Sequence, residues 1–198
     1  VQADITTEAG RATLVAACPD ADILVNNNAG PPPGNFQDWG RDQYLQAMEA
    51  NMLAPVLMIR ALLPGMRERR FGRIVNITSA MVTTPHPMMA LSVGARTGLT
   101  GVMKALSKQV VCDNVTVNNL LPERFDTDRQ RYMAEVVMKT TGASWEQARA
   151  QQVASIAAGR LGDPRELGDM CAFLCSAHAG YISGQNIQLD GGSYAGLI

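Results

Sequence analysis

Two hydrophobic periods alternate along this chain. Short apolar runs of strand length give way to stretches in which apolar residues recur every three and four positions. Asp22 to Val25, Arg73 to Ile77, Val115 to Leu121 and Gly184 to Asp190 predict strands. Pro122 stops the third, and Gly191-Gly192 ends the fourth. Val1-Gln2-Ala3-Asp4 predicts the end of one more strand.

Helical stretches fall between these runs. Glu8 to Ala17 opens behind Thr7, with an acid in its first turn. A longer region opens at Asp38 or Arg41 and keeps Tyr44, Leu45, Met48, Met52 and Leu53 in step. It continues through Val56, Ile59, Leu62 and Leu63. Pro55 lies inside it and predicts a kink or break near Asn51. Met88 to Lys108 predicts a long helix. Asp163-Pro164 starts another that runs to about Ser176. Between them, Asn26 to Gly34, Thr78-Ser79-Ala80 and the Pro85-His86-Pro87 segment predict loops.

Strand and helix alternate for most of the length. This predicts a single α/β domain over residues 1–198, a doubly wound parallel sheet with helices on both faces. The alternation breaks once. Asp126 to Thr140 and Ser144 to Ala158 are two helical stretches joined at Gly142 with no strand between. This insertion, about residues 123–162, is a candidate substrate lid.

Composition changes the picture mainly by exclusion. The net charge of -1 gives no reason to expect nucleic acid or an anionic membrane as partner. The apolar runs are interrupted before the length of a membrane span, so no transmembrane helix is expected. No secretory signal stands at the start. The four cysteines, Cys18, Cys112, Cys171 and Cys175, match no zinc spacing. They are expected to be reduced, buried thiols of a cytoplasmic protein, and no metal site is predicted. The helices Leu53 to Arg69 and Met88 to Lys108 carry more apolar surface than one sheet face needs, which predicts self-association.

The candidate chemistry gathers at the strand ends. Ile74 to Ile77 delivers Ser79 at a carboxyl end and then feeds a helix, the place where open α/β sheets put their chemistry. Asn27-Asn28-Ala29-Gly30 follows the strand ending at Val25, with Asn26 intervening. Asn118-Asn119-Leu120-Leu121-Pro122 ends another strand, and Asp190-Gly191-Gly192 the last.

Together these segments resemble the short-chain dehydrogenase/reductase family, and within it the 3-oxoacyl-carrier-protein reductase-like members. The resemblance spans the whole chain. It implies a Rossmann-like fold that is N-terminally truncated relative to the family. There a strand, a glycine-rich turn, a helix and a second strand come before the part seen here. It implies NAD or NADP as cofactor, a small-molecule carbonyl or alcohol as substrate, and pairing of the long helices in dimers and tetramers. Asp4 and Ile5 resemble the strand end that contacts adenine. Asn27 (or Asn26), Asn28, Ala29 and Gly30 resemble the loop lying under the cofactor. Asn51 falls where the family has a helix-kinking asparagine that holds a water in the proton relay. Pro122 lies beside the nicotinamide position, although Glu123 stands where the family has glycine. Thr127 matches the threonine that binds the carboxamide.

At the catalytic centre the chain departs from the family. Its pattern is a serine, then Tyr-x-x-x-Lys on the next helix. Tyrosine gives a proton to the carbonyl oxygen, and lysine lowers the tyrosine pKa and binds the nicotinamide ribose. Here Ser79 matches the serine, but Ser92 and Arg96 fall where tyrosine and lysine stand. Arg96-Thr97-Gly98-Leu99 anchors that register. A serine hydroxyl is a far weaker acid than a phenol. Arginine keeps the charge with a different geometry. His86, whose imidazole suits acid catalysis, is a further candidate proton donor. Two functions are therefore carried forward. One is an NAD(P)-dependent oxidoreductase with an atypical centre, using Asn51, Ser79, Ser92 and Arg96. The other is a catalytically inactive nucleotide-binding or assembly protein of the same fold.

Overall fold

The computed structural model describes residues 1–197. Among them, one parallel sheet carries strands β1 (Ile23–Asn26), β2 (Gly72–Ile77), β3 (Val115–Pro122) and β4 (Asn186–Leu189), in that spatial order. The helices are α1 (Glu8–Ala17), α2 (Arg41–Met48), α3 (Ala54–Glu68), α4 (Ala90–Val110), α5 (Asp128–Thr141), α6 (Trp145–Val153) and α7 (Pro164–Cys175).

Helices cover both faces, as the alternation requires. Met58, Ile59, Leu62 and Met66 of α3 and Leu99 and Met103 of α4 pack on Ile74, Val115 and Val117, with Leu14 and Val15 of α1 at the margin. Leu167, Met170 and Leu174 of α7 pack on Val75, Leu120 and Ile187 of the opposite face. Side chains alternate across a strand, so Ile74 and Val75 serve different layers. The central strands β2 and β3 are buried nearly throughout. On β1, Leu24 faces the α1–α3 layer, but Ile23 and Val25 lie on the α7 side beyond its reach, and are 49% and 43% exposed.

Pro55 acts as its position suggests. A proline ring clashes with the carbonyl four residues back, here that of Asn51. The helix widens into a π-helical turn over Glu49–Leu53 and does not break. Arg41–Glu68 is thus one helical run of 28 residues, with a mean hydropathy of 1.2 over its most apolar window. By length and composition alone that is enough to cross a membrane, a test that a core helix also passes. Its apolar stripe, however, is spent on the core.

Three expectations are corrected. Val1 to Asp4 is irregular, not a strand, because no neighbouring strand pairs with it and Asp4 instead caps a turn with Thr6 and Thr7. Helix α6 stops at Val153, short of Ala158. Gly159 adopts a left-handed φ of 66°, and Ala158 donates its N–H to Gly191 O at 2.8 Å, so the chain there serves a loop contact. All four cysteines are free, but Cys18 and Cys112 are exposed and only Cys171 and Cys175 are partly buried. Cys18 follows α1, a helix with no buried residue, and Cys112 lies in the short turn after α4.

Candidate active site

Parallel strands put all their carboxyl ends on one side of the sheet. The loops after β1, β2, β3 and β4 therefore meet along one rim, and asparagine sets their register. Asn26 donates to Asn76 Oδ1 at 2.9 Å, Asn76 donates to Asn119 Oδ1 at 3.0 Å, and Asn119 donates to Asn186 Oδ1 at 2.8 Å. These residues are direct partners in the strand register. The ladder crosses the whole sheet. Its inner members Asn76 and Asn119 are 0% and 2% exposed. A sequence signal for it existed, since an asparagine follows the apolar run in β1 and β2 and falls inside that of β3.

The ladder separates the three asparagines after Val25. Asn26 belongs to β1 and the ladder, and Asn27 is exposed. Asn28 turns inward and donates to Ala50 O at 2.7 Å. Asn51 donates to Ala29 O at 3.3 Å. These two bonds cross-link the β1 loop to the π-helical turn. Asn51 is 4% exposed. Asn26, Asn28, Asn51, Ile77, Arg96 and Leu99 line a cavity of about 10 Å³, room for about one water molecule.

Arg96 reaches the same loop from α4. It donates to Ser92 Oγ at 2.7 Å and to Asn28 O at 3.2 Å. Gly30 permits this approach, since a Cβ there would stand 3.2 Å from the guanidinium. Burial lowers the Arg96 pKa, and the nearby Arg129 guanidinium on α5 lowers it further. Ser92 is 2% exposed, one turn from Arg96.

Ser79 lies two residues beyond β2. Its Oγ accepts from Met81 N at 3.2 Å, capping the turn Ala80–Val82, while its own hydroxyl proton stays available. His86 caps the next turn through Nδ1, which accepts from Met88 N at 3.3 Å, and it is exposed. Pro122 ends β3, and Thr127 is exposed immediately before α5. Asp4 and Ile5 lie at the start of α1. The Thr6 hydroxyl and amide hold the Asp4 carboxyl below its ordinary range. Ile5 O accepts from Arg11 at 2.8 Å, and Arg11 also lies 3.8 Å from Glu49 in the π-helical turn. The structure thus joins Asn28, Ala29, Gly30, Asn51, Ser92 and Arg96 in one contact network. It puts Ser79, Pro122 and Thr127 on the same rim, and ties Asp4-Ile5 in through Arg11.

A family model described as enoyl-(acyl carrier protein) reductase matches residues 1–194. The chain belongs to the short-chain dehydrogenase/reductase family. Among curated members of the family, the 3-oxoacyl-[acyl-carrier-protein] reductase of Vibrio harveyi is 32% identical over 187 residues, 94% of this chain and 72% of that protein. The NADPH-dependent reductase BacG of Bacillus subtilis is 32% identical over 180 residues, 91% of this chain and 70% of that protein. The L-sorbose reductase of Gluconobacter frateurii, solved with NADPH and L-sorbose, superimposes with a TM-score of 0.93 at 27% identity, over 100% of this chain and 77% of that one. The chain spans about two thirds of the curated relatives' length, from 66% to 72% in three 3-oxoacyl-[acyl-carrier-protein] reductases.

Within the family the parts present suit the ribose and nicotinamide end of the cofactor. A guanidinium has five N–H donors, and Arg96 commits two of them to Ser92 and Asn28. The rest can serve a ribose diol beside the close-lying Gly30 loop. This donor set matches the type of group that such a cofactor requires.

Proposed function

We propose that this chain supplies the catalytic rim of an NAD(P)-dependent oxidoreductase that reduces a ketone or oxidises a secondary alcohol. The observation that carries this reading is the Arg96 contact. One side chain on α4 bridges the loop after β1 and the Ser92 hydroxyl one turn back on its own helix. Membership of a family of nicotinamide-dependent oxidoreductases supports it. The named relatives differ in substrate, an acyl carrier in one and a sugar in another, so only the carbonyl–alcohol pair is proposed here.

The cofactor, when bound, supplies or accepts the hydride. The residues of this chain do the rest. Arg96 holds ribose hydroxyls, with Asn28, Ala29 and Gly30 as the floor beneath, Pro122 and Thr127 at the carboxamide side and Asp4 and Ile5 toward the adenine. Ser79 donates its hydroxyl proton as a hydrogen bond to the substrate oxygen. Asn51 orients a water in the small cavity beside Arg96. Ser92 orients Arg96. Its burial and its role as acceptor leave it poorly placed to give a proton to substrate, so the proton comes from water or from His86. The α5–α6 insertion, about residues 123–162, acts as substrate lid of a single domain, and the apolar surplus on α3 and α4 supports a homodimer or homotetramer.

A second reading is favoured by one observation. No phenol or ammonium group occupies the Ser92 and Arg96 positions, which suits a subunit that binds nucleotide without turning over. Turnover of NADH and NADPH with a panel of ketones separates the two, alongside calorimetric titration. Reduction that falls ten- to a hundredfold in Ser79→Ala supports the enzyme. Tight binding without turnover supports the second reading, and neither binding nor turnover removes both.

A further inference from the structure

Glu123 stands where the family's pattern has glycine, and the structure gives it a specific partner. Arg124 donates from Nε and Nη2 to Glu123 Oε1, at 3.1 and 2.5 Å. The same guanidinium donates to the carbonyl of Gln152 and the hydroxyl of Ser155. Gln152 lies in the last turn of α6, where a helix leaves its carbonyls without internal partners. Arg124 therefore caps α6 from the end of β3, with the cation at the end of the helix that favours it. Glu123 is anchored in turn, since its N–H donates to Leu189 O at 3.0 Å. The side chains of Glu123 and Arg124 are 19% and 26% exposed, so water screens the pair less than it screens an open surface pair.

The segment held this way is a roof. Between it and the end of β4 lies a cavity of about 280 Å³, lined among others by Phe125, Ile156, Ala158 and Leu189. Charges at its edge are already engaged. Arg160 is paired with Glu166, and Asp190 accepts from the N–H groups of Gly192 and Tyr194. The roof's other ties are Ala158 N to Gly191 O, Gly162 N to Arg124 O, Asp126 N to Gly162 O, Gln152 Nε2 to Gln130 O on α5, and the ion pair of Arg149 Nη2 with Asp126 Oδ1.

We propose that Glu123 and Arg124 act as one strap that holds the Gln152–Ala158 segment over this cavity, so that parting the strap is the step that opens the lid. Arg124 makes the contact, and Glu123 supplies the counter-charge that points it. Both are positioning residues. The proposal does not depend on hydride transfer and stands whether or not the protein turns over.

Native-state hydrogen exchange on the full chain tests it, comparing wild type with Glu123→Gly, Arg124→Met and the double variant. Each single variant speeds exchange of amides 148–158 about tenfold or more, the scale of a lost charge-assisted hydrogen bond. Amides of β2 and β3 keep their wild-type rates. The double variant is no faster than Arg124→Met, because the two residues act as a unit. Rates in Glu123→Gly within twofold of wild type overturn the proposal. So does full additivity in the double variant, or equal acceleration across β2 and β3, which reports global destabilisation.

Discussion

The guanidinium of Arg96 donates to the hydroxyl of Ser92 at 2.7 Å, joining one helical turn apart the two α4 positions that carry lysine and tyrosine in the family's pattern. The pair turns inward. Ser92 is 2% exposed, and Arg96 spends a second donor on Asn28 O. A cation is thus held against the β1 loop.

Removing the acceptor exposes what it does. Ser92→Ala leaves an Arg96 donor unpaired in a mostly buried site, which costs about 1–3 kcal/mol. Urea denaturation measures it as a lower midpoint at unchanged slope. Ser92→Tyr with Arg96→Lys restores a phenolic acid, and carbonyl reduction rises at least about tenfold, since a placed general acid contributes roughly 10²–10⁴-fold. Unchanged turnover in that double variant counts against an intact scaffold with only its acid replaced.

The asparagine ladder makes a sharper stability prediction. Asn76 both donates and accepts at the sheet centre. Asn76→Leu strands the Asn26 amide and the Asn119 carbonyl, and each unsatisfied buried group costs about 1–3 kcal/mol. The combined loss of about 2–6 kcal/mol is a large fraction of a domain's stability. Chemical denaturation of Asn76→Leu beside the outermost Asn186→Ala checks it. The outer variant removes an exposed side chain and leaves only the Asn119 amide N–H short of an acceptor, so it loses less.

Acid stability carries the mark of one pair. Glu166 accepts two bonds from Arg160, at 2.6 and 2.8 Å, and these bonds, with the Asp163 N–H, hold its pKa down to about 2 from an ordinary 4.5. A carboxyl depressed in the folded state binds fewer protons there than when unfolded, so its contribution is present above pH 4.5 and is lost as pH falls toward 2. Glu166→Gln flattens the stability profile across that window and leaves it parallel above it. Both groups face solvent, so the change is small, and added salt reduces it. A profile of unchanged steepness in the variant would show that other carboxylates govern the window.

Thiol chemistry sorts the cysteines into two classes. Cys18 and Cys112 are exposed, whereas burial, followed by the neighbouring Cys171, pushes the Cys175 thiol up to about 11. Thiolate is the reactive form, so at pH 8 Cys175 reacts slower by a factor on the order of hundreds. Titration of the native protein with an aromatic disulfide reagent shows two fast thiols. A Cys18→Ser, Cys112→Ser variant shows none that are fast.

The sheet and most helices were legible in the chain because they answer to local rules. The period of apolar residues marked β2, β3 and α4, and Thr7 and Asp163-Pro164 marked helix starts at the residues found. Pro55 signalled a distortion near Asn51, and the structure shows it as a π-helical turn and not a break. The strand read from Val1 to Asp4 failed because a strand needs a neighbour, and pairing is not a local property.

The site divides in the same way. The sequence by itself determined the residue types at the rim: serine after β2, serine and arginine on α4, glutamate after Pro122. It could not determine which atoms they would face. Asn26, Asn27 and Asn28 are equivalent as letters. They separate only when strand register aligns Asn26 with Asn76 and the loop folds Asn28 onto Ala50. Likewise Arg124 acquires its partners Gln152 and Ser155 from the last turn of α6 and the turn after it, about thirty positions away. Side-chain partners follow from distances between elements far apart in sequence, and only tertiary packing sets those distances.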